Sequence, residues 1–358
     1  QAIAEAEATL GPLAAAARDV FGVPPRTREV VAGSPVPETT SVLQLVRLDP
    51  GADRVTFARR ASWTEDGRLQ DEYDVIEVDP GLAGASPRDP GFFTLLPELA
   101  DALLPPRFRT HLAGLEHPER LMLVPTGMLH VPFDALPVDD ERQLLDVAIT
   151  SLHPSLSTIV ALREIQRRPD TAVSTYVFDT GLDYQEELAA LQASLPDARP
   201  ARSRGELAAA LDAGDGTSGA VLAMAVHGTF SGNGWGQSKT LPDGSVLKST
   251  DLMGLPVPRL CVLASCHSSI ETTDGAELSG FPLAMFLSGA TTVVGSLYAI
   301  PDTPTAQLMA RFWTEYAVDR DPVRALWRAK QRWIAADPAA RGRHRAWAGL
   351  VTYGGAHH

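Results

Sequence analysis

Two short apolar runs, each ending in a reactive side chain, constrain this chain more than any other feature. Val221 to Val226 runs into His227, and Leu260 to Ala264 runs through Ser265 into Cys266. Apolar runs of this length, bounded by turn residues, read as strands buried on both faces, the pattern of a parallel sheet. In open α/β sheets, ligands and catalytic groups collect at the carboxyl ends of such strands. An imidazole and a thiol delivered to that edge are the parts of a Cys/His nucleophile pair.

The flanking sequence agrees with an α/β chain. Residues 1–22 have an Ala-rich helical pattern, and Val23 to Thr40 reads as a loop rich in Pro, Gly and Thr. Strands are expected over Ser41–Leu48, Arg54–Arg60 and Glu72–Val78, the first two paired across Asp49-Pro50-Gly51-Ala52. Phe92 to Leu115 is helical with a break at Pro105-Pro106. Arg120–Val124 is a strand that enters the turn Pro125-Thr126-Gly127, Leu144–Leu152 another strand, and Ser155–Arg167 a helix capped by Ser155.

The charged run ending at Asp170 is the best domain boundary. It divides the chain into 1–170 and 171–355, with 356–358 reading as a tag remnant on a piece of a longer protein. Beyond the boundary, strands and helices alternate, as in a parallel sheet with helical crossovers. Strands are expected at Ala172–Phe178, Gly219–Val226, Leu260–Cys266 and Thr291–Ile300, and helices at Gln185–Ser194, Arg204–Asp212 and Gly280–Ser288. Gln237 to Ser249 reads as a hairpin around Pro242-Asp243-Gly244, followed by a short helix capped by Ser249 or Thr250. Thr303-Pro304 and Asp321-Pro322 each carry a helix-start signal, cap then proline. The apolar residues behind them, Leu308, Phe312 and Tyr316 in the first helix, recur at four-residue spacing and bury one face.

Composition removes several classes of function. A formal charge of -13 argues against a general nucleic-acid binder, because phosphate contacts need clustered cations. No apolar run approaches a membrane span, so no membrane partner is expected. Cys261 and Cys266 are the only cysteines. On an extended strand they would sit ~16 Å apart, too far for a disulfide. Both are therefore read as free thiols, which suits a reducing cytoplasm. Their spacing with His227 and His267 matches no common zinc pattern, so neither metal nor cofactor is expected.

The residue types alone leave two readings of Cys266 open: nucleophile, or buried free thiol, the commonest fate of a cysteine. Cys261, inside its strand, reads as packing. As a nucleophile, Cys266 would attack a carbonyl while His227 served as general acid and base. The backbone N–H groups of Gly228 and Cys266 would form the oxyanion hole. Asp274 and Glu277 could favour a basic substrate side chain, though acids in a polar loop are usually just solvated.

Several ordered motifs in the second half resemble the CHAT domain, a caspase-like peptidase module usually found beside tetratricopeptide repeats. Val226-His227-Gly228 is similar to the family's His-Gly, and Leu260 to Cys266 to its cysteine strand. The segment Val293-Val294-Gly295-Ser296-Leu297-Tyr298-Ala299-Ile300-Pro301-Asp302 and the closing Trp347-Ala348-Gly349 to Gly354 resemble further family elements. In the first half, Leu123-Val124-Pro125 to Leu136-Pro137 does so too, and Ser265-Cys266-His267-Ser268 resembles the metacaspase nucleophile motif.

The resemblance implies a caspase-like, mostly parallel sheet flanked by helices, preceded by a degenerate protease-like α/β subdomain over 1–170. It implies a cysteine endopeptidase acting on a protein substrate through Cys266 and His227. It further implies activation by a partner protein or a tetratricopeptide-repeat domain outside this chain, in prokaryotic regulated proteolysis such as defence. The alternatives are a non-catalytic scaffold on the same fold, and another cysteine-nucleophile enzyme such as a transferase.

Overall fold

The computed structural model describes residues 40–47, 55–66, 68–89, 91–155, 174–179, 181–182, 184–212, 220–229, 237–253, 255–264 and 278–355. The chain forms two compact units, one of residues 1–164 with 274–277 and 357–358, the other of 165–273 with 278–356. The expected helix at 155–167 and the expected boundary at 170 both lie outside the described residues.

The first unit is built on β1 (Thr40–Arg47), β2 (Val55–Glu65), β3 (Arg68–Val78), β4 (Glu119–Pro125) and β5 (Ala148–Leu152). They lie in the order β3-β2-β1-β4-β5. The β1–β2 and β2–β3 pairs are antiparallel, while β1–β4 and β4–β5 are parallel. β3 starts at Arg68, four residues before the apolar alternation predicts. Cross-strand ion pairs hold that extension: Arg60 pairs with Asp71, and Arg59 reaches Asp74 at 2.9 Å through Nε. Helices α1 (Pro80–Ala83), α2 (Leu96–Leu103) and α3 (Pro106–Gly114) follow. The last two break at Pro105-Pro106 as expected, because a proline N–H is missing where the helix would need it. Leu99, Leu103, Phe108 and Leu112 are buried on these helices, and the Phe108 ring lies 5.5 Å from that of Trp63 in β2.

One expectation is corrected here. Leu144–Leu152 is not a single strand: Leu144–Val147 forms a turn of helix, α4, before β5. Asp146 accepts the Gln143 N–H at 2.9 Å, and the Ala148 N–H closes on the Leu144 carbonyl. A short, mostly buried run of nine residues carries no period that would separate the two.

The second unit follows the alternating pattern. Its elements in order are β6 (Thr175–Phe178), α5 (Gln185–Ser194), β7 (Arg199–Pro200), α6 (Arg204–Asp212), β8 (Val221–Ala225), β9 (Gly228–Thr229), β10 (Ser238–Thr240), β11 (Val246–Lys248), β12 (Leu260–Leu263), α7 (Gly280–Leu287), β13 (Thr292–Ser296), α8 (Asp302–Asp319), α9 (Pro322–Ala336), α10 (His344–Trp347) and β14 (Leu350–Gly354). Six strands lie in the order β14-β13-β12-β8-β6-β7, parallel except at β13–β14. Every residue of β8, β12 and β13 is buried, as both-face coverage of a parallel sheet requires. β11, β10 and β9 form a separate antiparallel sheet, with the expected turn at Pro242-Asp243-Gly244.

α8 buries Leu308, Met309, Phe312, Trp313 and Tyr316, and packs on α5 and α9. It begins at Asp302, not behind a Thr303 cap, because Pro301 is the last extended residue (ψ 135°). Pro304 then falls in the first turn, where an amide donor has no partner to lose. Gly349 is required by close approach: a Cβ there would lie 2.6 Å from the Tyr298 ring. This contact ties the segment after β13 to the Trp347-Ala348-Gly349 motif.

Candidate active site

β8 carries Val226 and His227 out of the sheet at its carboxyl end. Val226 is wholly buried, whereas the His227 side chain is exposed. The backbone around it is held from both sides. The Asp179 N–H donates to the Ala225 carbonyl at 2.9 Å, and the Thr240 N–H donates to the His227 carbonyl at 3.1 Å. Gly228 pairs with Lys239 in the β9–β10 ladder. The imidazole therefore projects to solvent from a fixed main chain.

β12 lies beside β8 in parallel, and each β12 residue from Leu260 to Leu263 faces the β8 residue 39 positions earlier, Val221 to Met224. Cys261 is fully buried, its thiol toward the Pro258 carbonyl at 3.4 Å, consistent with packing. Cys266, Asp274 and Glu277 lie outside the described residues. Of the expected site, the structure thus places His227 and Gly228.

The β9–β10–β11 sheet joins His227 to α7. The Gln237 side chain is buried, and its Oε1 accepts the Phe281 N–H at 3.0 Å. Lys239 Nζ stands 5.3 Å from the Phe281 ring centroid. Gly280 has φ +68°, and a Cβ on it would lie 2.0 Å from Gln237 Oε1. At the other end of α7, Ser288 Oγ donates to the Leu252 carbonyl at 2.7 Å. The insert between β8 and β12 is thereby bound to both ends of the helix that precedes β13.

A small cavity open to solvent adjoins His227. Its walls include Leu182, Val226, Ala264 and Ile300, and its polar groups include Tyr184, Glu187 and Asp302. Glu187, in the first turn of α5, is 2% exposed. Burial pushes its carboxyl up to about 8, and the Trp313 Nε1–H donated to it at 3.4 Å offsets this only in part. Trp313 is itself anchored by the Ser194 hydroxyl on its carbonyl at 2.7 Å. Glu187 is the residue that sequence reasoning missed. Its signal was the spacing 187, 191, 194, which puts it on the buried face of α5 with Leu191 and Ser194.

Among the described residues, no group of His, Cys, Asp and Glu side chains could hold a metal ion, and no helix is long and apolar enough to cross a membrane.

A mostly parallel sheet flanked by helices, with an exposed histidine followed by glycine at its carboxyl edge, defines a caspase-like α/β protein. The chain belongs to the CHAT domain family, which matches residues 94–355. Among solved structures, the complex of Porphyromonas gingivalis RgpB pro- and mature domains aligns with a TM-score of 0.50 at 10% identity, covering 72% of this chain and 70% of that one. The Arg-specific cysteine proteinase gingipain R gives 0.48 at 10% identity over 78% of this chain and 70% of that one. The Saccharomyces cerevisiae separase–securin complex gives 0.46 at 12% identity over 78% of this chain. The chain spans 15% and 20% of the two separase–securin chains that it matches. At these identities the likeness is one of fold. Comparison with curated proteins finds no match.

Proposed function

We propose that the chain is a cysteine endopeptidase using Cys266 as nucleophile and His227 as general acid and base. The observation that carries this reading is the β8–β12 register. The offset of 39 residues that pairs Leu263 with Met224 also separates Cys266 from His227 in the sequence, so a continued ladder would bring thiol and imidazole to the same sheet edge. Membership of a caspase-like peptidase family supports it.

In the reaction, the Cys266 thiolate attacks the scissile carbonyl carbon. The oxyanion accepts hydrogen bonds from the Gly228 and Cys266 N–H groups, each worth about 3 kcal/mol in such holes. As the C–N bond breaks, His227 gives a proton to the leaving amine. A water molecule, deprotonated by His227, then attacks the thioester, and the Cys266 thiol leaves with the carboxyl product released. Thiolate formation needs a nearby cation or dipole, because a free cysteine has a pKa of about 8.5. The imidazolium of His227 is the group at hand. The substrate is a protein, and control by a partner or a tetratricopeptide-repeat domain outside this chain follows from the family resemblance; two cysteines read as free thiols suit a reducing cytoplasm.

The test is a proteome-wide search for new termini produced by the wild type and lost in Cys266→Ala and His227→Ala. Retention of full cleavage by Cys266→Ala overturns the proposal.

A further inference from the structure

The cavity beside His227 contains a buried acid without a cation. Glu187 is 2% exposed, and Trp313 Nε1 at 3.4 Å is its hydrogen-bond donor among the described residues. Among the described residues, no lysine or arginine lines the cavity. Buried carboxyl groups in proteins are normally paired, because an ionised carboxylate removed from water costs several kcal/mol unless a partner replaces the solvent. Here the partner is missing, so burial keeps the group protonated well above the usual carboxylate range.

The position of this acid matters. The same cavity is bounded by His227 at the end of β8, by Ala264 just beyond β12 and by the start of α8. Ala225, Ala264 and Ala306 are short wall residues. Asp302, exposed at the first residue of α8, adds a second carboxylate to the lining. Apolar walls around an acidic group match a side chain that buries methylenes and presents a cation at its tip.

We infer that this cavity receives a lysine or arginine side chain of the substrate, at the residue whose carbonyl is attacked, with Glu187 as its counter-ion. On entry of the cation, Glu187 gives its proton to solvent and the two charges pair inside the cavity. The selecting acid is then on α5, not among Asp274 and Glu277 of the stretch after Cys266. Asp302 acts as an outer guide for the positive charge.

The inference rests on the peptidase reading, and the experiment separates the two. The full chain, with any activator that the terminus search identifies, is treated with peptidyl acyloxymethyl ketones that differ only in the reacting residue: arginine, lysine, leucine or aspartate. Labelling of Cys266 is followed by intact mass. The wild type should react with the arginine and lysine probes at least ~30-fold faster than with the leucine probe, the lower range for a buried charge pair. Glu187→Gln, which keeps the shape and a hydrogen-bond acceptor, should lose most of that ratio between the cationic probes and the leucine probe. Asp302→Asn should slow the cationic probes by only a few-fold. A wild type without cationic preference, or a Glu187→Gln protein that keeps it, overturns the inference and leaves the peptidase reading standing. Failure of every probe to label Cys266 overturns the peptidase reading itself.

Discussion

The two units carry similar edges with opposite fates. In the first, β4 runs into Pro125-Thr126-Gly127, and Met128, Leu129, Val131 and Phe133 are all buried behind it. β5 leads directly to His153, which is 1% exposed, with Nε2 3.1 Å from the Ser151 hydroxyl. In the second, β8 is equally buried but delivers His227 to solvent, its main chain pinned and its ring exposed. A buried parallel strand is thus a neutral support. What makes a strand-end residue available for chemistry is a fixed backbone combined with an unsealed side chain.

The largest expected effect tests that contrast. His227→Ala should reduce cleavage of the identified substrate by 10²–10⁴-fold, about the contribution of a general acid and base, with little change in thermal midpoint. His153→Ala should do the reverse, lowering the midpoint while cleavage per folded molecule persists. Loss of activity in a folded His153→Ala protein would break the comparison.

Buried acids extend it. In the first unit, burial also pushes Glu119 up, but the Ser41 hydroxyl and the His111 imidazole at 3.2 Å pull it back. In the second, Glu187 shares its cavity with Tyr184, His227 and Asp302, and lacks a lysine or arginine. Its folded pKa, about 8, exceeds the unfolded value. Between the usual carboxylate range and about 8 the folded chain holds a proton that the unfolded chain has lost. The stability held at low pH therefore declines as pH rises through that window and levels off above it. Glu187→Gln removes this dependence. Denaturant titrations at pH 5 and pH 8 should show wild type losing on the order of 4 kcal/mol more than Glu187→Gln over that interval. Equal slopes would mean that Glu187 is ionised and paired.

Much of this was legible in the residues, and the rest was hidden for physical reasons. The parallel sheet of the second unit follows from apolar runs such as Val221–Val226, and the starts and ends of α5 and α6 follow from their periodicity. Asp321-Pro322 marked the start of α9 because cap and proline are local chemistry. The N-terminal part of β3 was not legible, because an edge strand tied by Arg–Asp pairs lacks the apolar alternation that announces a strand. The α4–β5 change was hidden inside one mostly apolar run too short to show a period. In the candidate site, His227 and Gly228 could be named from their place after β8, whereas Glu187 could not be told from a solvated helix acid until α8 was packed over it. The spacing 187, 191, 194 hinted at its face, and packing against α8 gave it its character.

Glycines sharpen the contrast at a smaller scale. Gly349 faces the Tyr298 ring at 2.6 Å from any added Cβ, and that ring, 1% exposed with its hydroxyl on the His344 carbonyl, has no room to retreat. Gly349→Ala should cost about 2–3 kcal/mol, the usual price of overpacking. Gly114, at the end of α3 in the first unit, has nothing within 4 Å of an added Cβ. Gly114→Ala should be neutral or stabilising by up to ~1 kcal/mol, through lower unfolded-state entropy. Chemical denaturation of the two variants reads the difference directly.

The smallest effect concerns helix caps. Asp321 accepts the Val323 and Arg324 N–H groups, both at 3.1 Å, at the head of the fifteen-residue α9. That helix buries Val323, Leu326, Ala329, Trp333 and Ile334, so a fault at its first turn is transmitted to a large packed face. Asp79 makes the same bonds to Gly81 and Leu82, at 2.8 and 3.3 Å, but α1 is four residues long and buries none of them. Asp321→Ala should therefore lower stability by about 1 kcal/mol, the typical value for a lost cap. Asp79→Ala should cost at most a few tenths, because the turn it caps can fray without exposing core. Comparable losses at both positions would show that α1 is coupled to packing that its exposure does not reveal.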